Sequence, residues 1–121
     1  MENGMYKLGE VESRFADIVW ENAPLRSREL VALCAEKLHW KKSTTYTVLK
    51  KLCVRGLFQN VKGTVSVLIT KEAYEAMHSA QFVEENFQGS LPAFVAAFTA
   101  CKTLSSEEID EIHRMIDSAK G

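Results

Sequence analysis

The feature that most constrains this chain is a change of hydrophobic period at Gly56. Upstream of it, apolar residues recur at the three- and four-residue spacing of an amphipathic helix; downstream they fall into short strand-like runs. Val11, Phe15, Ile18 and Val19 make one helical face that stops at Ala23-Pro24. Pro24 imposes an extended approach, after which Ser27, Leu30, Val31, Leu33, Cys34 and Leu38 mark a second helix. A third helix is expected after His39-Trp40, over Lys42–Val54, with Thr45, Val48, Leu49 and Leu52 inward. Gly56 should end it in the left-handed conformation that glycine adopts freely. Residues 57–61 and 65–69 are β-prone runs around Lys62-Gly63-Thr64, which predicts a two-stranded hairpin.

The remainder reads as helical. One helix is expected from Thr70 to about residue 86, with Ala73, Met77, Ala80 and residues 83–87 inward and Glu72 in its first turn. Gln88-Gly89-Ser90 interrupts it, and Leu91, Phe94, Val95 and Phe98 then carry a short apolar helix over 91–100. Ser105 and Glu108 form a capping box for a last helix, with Leu104 and Ile109 at the staple positions and Ile109, Ile112, Met115 and Ile116 as its stripe. Three such helices are too small to bury their own aromatic and branched residues. Either they fold back on the N-terminal half, or they meet a second copy of the chain; their acidic faces make the second arrangement the better fit. The expected fold is mainly α with a small β-hairpin wing: a winged helix-turn-helix domain over 1–70 and a helical dimerisation region over 71–121. Candidate dimerisation residues are Phe82, Phe87, Leu91, Phe94, Val95, Phe98, Ile109, Ile112 and Ile116.

Charge separates the same halves. Residues 1–70 carry 11 Lys+Arg against 7 Asp+Glu, a net of +4, whereas residues 71–121 carry 4 against 9, a net of −5. Residues 37–71 hold eight basic side chains and no acid, where an ordinary solvated face would mix signs, so a polyanion is the expected partner. A helix–turn–helix followed by a wing presents its second helix to the DNA major groove. The outward positions of that helix are Ser43, Thr44, Tyr46, Thr47, Lys50 and Lys51, with Lys41 and Lys42 at its start, Arg55 at its end and Lys62 on the wing. Hydroxyls at the leading end suit base edges and thymine methyls, while the cations suit phosphates. A winged helix that docks protein instead of DNA is the alternative.

Enzyme chemistry finds no footing. There is no glycine-rich phosphate loop, GxSxG or HExxH, and His39, His78 and His113 stand apart from one another without metal-ligand spacing. No catalytic residue, metal or cofactor is expected. Cys34, Cys53 and Cys101 form no CxxC; the first two fall on inward faces, and Cys101 near a helix end is the one to test for redox sensitivity. Trp20 and Trp40 are expected in the core. No run is long and apolar enough to span a membrane, and the opening residues lack the order of a secretory signal, so a cytoplasmic protein is expected.

The run LGEVESRFADIVWENAPLRSRELVALCAEKLHWKKSTTYTVLKKLCVRGLF sets Trp20, Glu29, Trp40, Thr44, Thr47, Leu49, Leu52 and Gly56 in the register of the penicillinase-repressor (BlaI/MecI-type) family. GSLPAFVAAFTACKTLSSEEIDEIHRMI resembles that family's C-terminal segment, so the likeness covers nearly the whole chain. It implies a transcriptional repressor whose first half is a winged helix binding inverted-repeat operators and whose second half makes the homodimer. Lys41-Lys42 stand where the family has Ser-Pro, and Arg26 where it has a Ser or Thr cap, so a different preferred operator is expected. The paired CxC motifs of related copper-responsive repressors are absent. The resemblance also implies a regulatory protease, which in antibiotic-resistance members cuts an Asn-Phe bond. The matching segment here is Phe94-Val95-Ala96-Ala97-Phe98, with Ala97 in place of Asn, and release by another route or a different protease specificity is expected.

Overall fold

The inward faces of the first three helices meet in one apolar core. The computed structural model describes residues 8–119, so the outermost ends of both expected domains, and the opening residues read above for a signal, lie outside the described residues. The elements are α1 (Glu10–Asn22), β1 (Leu25–Arg26), α2 (Ser27–Leu38), α3 (Lys42–Val54), β2 (Phe58–Val61), β3 (Thr64–Val67), α4 (Lys71–Phe87), α5 (Leu91–Cys101) and α6 (Ser106–Ser118). Phe15 and Val19 of α1, Leu30 and Cys34 of α2, Leu52 of α3 and Phe58 and Val65 of the sheet have no exposed surface. Phe15 stacks on Trp40 at 5.6 Å between ring centroids, closing the core over the turn between α2 and α3.

The wing differs from the expected two-stranded hairpin. Its sheet has three antiparallel strands in the order β1-β3-β2, because the extended segment after Pro24 pairs Leu25 with Val65 and Arg26 with Thr64. Two residues are too few to display an alternating pattern, which is why the sequence does not announce this strand. β3 also ends at Val67 instead of residue 69. The β2–β3 turn consists of Lys62 (φ 50°) and Gly63 (φ 83°), both left-handed, the conformation whose twist matches the flanking strands. At the end of α3, Gly56 N–H donates to the Cys53 carbonyl (3.0 Å) and Leu57 N–H to that of Leu52 (3.1 Å). This Schellman closure requires the positive φ, 88°, that Gly56 supplies.

Of the residues expected inward, Val11 on α1 and Ala73, Ala80 and residues 84–86 on α4 are exposed. The inward residue of α4 is Tyr74, 8% exposed, which lies beyond residue 70 and was missed because the apolar count favoured the alanines. Tyr74 packs against Trp20 at 5.7 Å, and its hydroxyl accepts a hydrogen bond from Leu8 N–H (3.0 Å). Trp20 is half-buried, edge-on to Phe58, and its Nε1–H donates to the Ile69 carbonyl (3.0 Å).

Two compact units divide between Gln81 and Phe82, within α4. In the second, Phe94 contacts Phe82, Phe87 and Phe98 at centroid distances of 6.1, 5.5 and 6.3 Å. Ser105 Oγ accepts from Glu108 N–H (3.1 Å) and Glu108 Oε1 from Ser105 N–H (3.0 Å), the expected capping box. No described residue of this unit is buried: Phe87 and Phe94 are half-covered, while Phe82, Leu91, Val95, Phe98, Ile109, Ile112 and Ile116 are exposed. Tyr74→Ala should destabilise the first unit by about 3 kcal/mol in chemical denaturation, through loss of a buried ring and its hydroxyl contact.

Candidate nucleic-acid interface

The site begins with the rotation of α3 about its own axis. Thr45, Leu49 and Leu52 face the core, so the opposite stripe runs Ser43, Thr47, Lys50 and Val54, all exposed. Thr44 and Lys51 flank it on one side and Tyr46 on the other. Buried Thr45 is satisfied locally: its Oγ1 donates to the Lys41 carbonyl (3.3 Å). Val54 is 79% exposed and was read only as the helix end; an apolar side chain left on this stripe by a closed core is the signal that marks it.

Two expected outward residues are engaged inside the fold. Tyr46 is half-buried, and its hydroxyl lies 3.1 Å from Ser27 Oγ, tying α3 to the first residue of α2. Arg55 is half-buried and contacts Glu12 of α1 at 3.5 Å. Lys51 is exposed but its Nζ lies 2.6 Å from the other Glu12 oxygen. The Lys51 hydrogen bond, with the Gly9 amide and both cations behind it, outweighs burial and holds the Glu12 carboxyl below the usual glutamate value. Lys71 is likewise held by Asp17 of α1 at 3.0 Å. The acids of α1 thus neutralise three of the eight cations in the acid-free run.

What remains is more narrowly placed than the sequence suggested. Lys37 in the last turn of α2, Lys41 and Lys42 at the start of α3, Lys50 on its exposed stripe and Lys62 in the wing turn are exposed and have no carboxylate partner among the described residues. A shallow groove lined by Tyr46, Leu49, Lys50, Cys53 and Asn60 separates α3 from β2. Arg26, noted in the sequence only for its place at the start of α2, joins the wing through its pairing with Thr64. Helices α2 and α3 start without side-chain caps, as the departures at Arg26 and Lys41 imply; Glu29 compensates at α2 by accepting the Arg26 N–H (2.8 Å).

No group of His, Cys, Asp and Glu among the described residues could hold a metal ion, and no described helix is long and apolar enough to cross a membrane. Burial pushes the Cys34 and Cys53 thiols above their ordinary value, with a Thr45 hydrogen bond partly opposing it at Cys34; Cys101 is exposed.

A family profile described as "Penicillinase repressor" matches residues 8–118. The chain is 24% identical to a penicillinase repressor of Bacillus licheniformis over 118 residues, 94% of this chain and 92% of that one. It is 20% identical to the methicillin resistance regulatory protein MecI of Staphylococcus aureus over 121 residues, 97% of this chain and 98% of that one.

The Glu12 cluster makes a signed prediction about pH. A carboxyl whose folded-state pKa lies below its unfolded one stabilises the fold at neutral pH, and the contribution is lost as pH falls below about 4.5. Glu12→Gln should therefore be less stable than the wild type at pH 7 by up to about 1 kcal/mol. In urea denaturation the difference should narrow as pH falls below about 4.5.

Proposed function

The chain belongs to the penicillinase repressor family of transcriptional repressors, which are not enzymes, and on that premise we propose that it represses as a homodimer seated on an inverted-repeat operator. The observation that carries the reading is the exposed stripe of α3 bordered by cations that no acid of the fold neutralises. Ser43, Thr44 and Thr47 meet base edges in the major groove, and Val54 continues the stripe with an apolar contact suited to a thymine methyl. Lys41, Lys42, Lys50 and Lys62 neutralise phosphates and fix register. Lys51 and Arg55, joined to Glu12, serve chiefly to hold α3 against α1.

The dimer rests on the second unit. Its branched and aromatic side chains are exposed in a single copy, with Ile109 at 40% and Ile116 at 54%, an arrangement that a second copy of the same surface would cover. Pairing two winged units sets two copies of α3 on half-sites a whole number of helical turns apart. Release proceeds by a route other than cleavage at Ala97-Phe98: the asparagine is absent, and the bond lies inside helix α5, where a protease would first have to unwind it.

Salt dependence tests the DNA reading. Binding should weaken steeply between about 50 and 200 mM salt, whereas docking of a protein on an apolar surface would not. Lys50→Ala should reduce the slope by roughly one unit and Lys51→Ala by clearly less, both without regard to sequence. Thr47→Ala should cost about 1–3 kcal/mol on the preferred site and little on unrelated DNA. Equal slopes for the wild type and Lys50→Ala would remove α3 as the binding element.

Sedimentation tests the dimer. Ile112→Asp places a charge on the apolar face of α6 and should yield a folded monomer whose operator affinity falls well below that of the wild type, because the second half-site contact is no longer tethered. A variant still dimeric would move the interface off this helix.

A further inference from the structure

The charge of the wing does not come only from the residues of its turn. We propose that Arg26 is a DNA-backbone contact of the wing, presenting its guanidinium fork to a phosphate of the duplex; the proposal rests on the DNA-binding reading above.

Folding brings Arg26 from outside the acid-free run into its midst. Its backbone lies in β1, paired with Thr64, so it is carried by the sheet and not by a loop. Two hydrogen bonds hold it, and its guanidinium lies against the turn. Its N–H donates to Glu29 Oε1 (2.8 Å), its Nη1 donates to Thr64 Oγ1 (3.2 Å), and Nη2 lies 3.3 Å from the point a Cβ on Gly63 would occupy. The guanidinium therefore lies over the tight turn of the wing, and a side chain at position 63 would press on it. The next residue, Ser27, donates its N–H to the Gly63 carbonyl (2.8 Å) and meets the Tyr46 hydroxyl of α3 through Oγ. Arg26 thus sits at the junction of the wing turn and the recognition helix.

The electrostatics place it with the unpaired cations of α3 and the wing turn. Lys51, Arg55 and Lys71 each meet an acid of α1, whereas no carboxylate among the described residues pairs with the Arg26 guanidinium, and Glu29 is used on its backbone N–H. Thr64 takes one of five guanidinium donors, so a donor pair remains for a bidentate partner. The planar fork matches two oxygens of one phosphate, and the Thr64 bond presets its orientation, so less side-chain freedom is lost on contact. A lysine would bring the same charge without the fork.

The test uses the full chain and fluorescence anisotropy on a preferred and an unrelated duplex across a salt series. Arg26→Gln should weaken binding on both duplexes and make the salt slope shallower by about one unit, as for Lys50→Ala. Arg26→Lys should keep the wild-type slope yet bind more weakly than the wild type. Thermal melting should leave both variants folded; if Arg26→Gln melts early, Arg26→Lys alone decides. A wild-type slope in Arg26→Gln beside a reduced one in Lys50→Ala overturns the proposal and spares the DNA reading. A loss confined to the preferred duplex would put Arg26 on a base edge, and wild-type affinity in Arg26→Lys would remove the fork; either result overturns it. Absence of salt-dependent binding by the wild type would instead sink the DNA reading itself.

Discussion

The burial of Thr45, Leu49 and Leu52 against the core formed by α1, α2 and the sheet is the constraint on which the rest of this structure depends. A helix has one rotational freedom about its axis, and once three residues of one face are buried the opposite face is set. Ser43, Thr47, Lys50 and Val54 are outward because of what lies behind them, and no interaction of their own is needed to hold them there. The Glu12 contacts with Lys51 and Arg55 and the Tyr46–Ser27 contact then fix the two flanks of the helix. The proposed DNA-binding face is thus a by-product of packing, and a core substitution that let α3 roll would move every candidate contact together.

Helices α1, α2 and α3 were legible because each offers enough turns for the 3.6-residue period to show, and α1 and α3 end at residues with backbone demands of their own, Pro24 and Gly56. The capping box at Ser105 was legible for the same reason: it is local. What failed was information carried across the chain. β1 is too short to have a period, and its partner lies about forty positions away. Tyr74 was passed over for alanines of the same helix, since hydropathy ranks an alanine as readily as a tyrosine whose hydroxyl has a partner at residue 8.

The candidate site shows the same division. That the run from residue 37 to 71 is basic was plain, and the stripe of α3 followed from its periodicity. Which cations are already neutralised was not, because Glu12 and Asp17 sit in α1, outside the run, and reach it only after the helices pack. A linear count of charge assigns every lysine the same weight. The fold withdraws Lys51, Arg55 and Lys71 and brings Arg26 to the wing, which shifts the free positive charge toward the start of α3 and the β2–β3 turn.

The second unit, in which no described residue is buried, has a consequence for abundance. In the proposed dimer these helices would cover their apolar faces only on meeting a second copy, so folding and association would share one equilibrium and the melting temperature of that unit would rise with protein concentration while that of the first unit would not. Dilution would loosen the C-terminal helices as it separates the copies. The cellular level of the chain would then set how much of it is whole enough to repress.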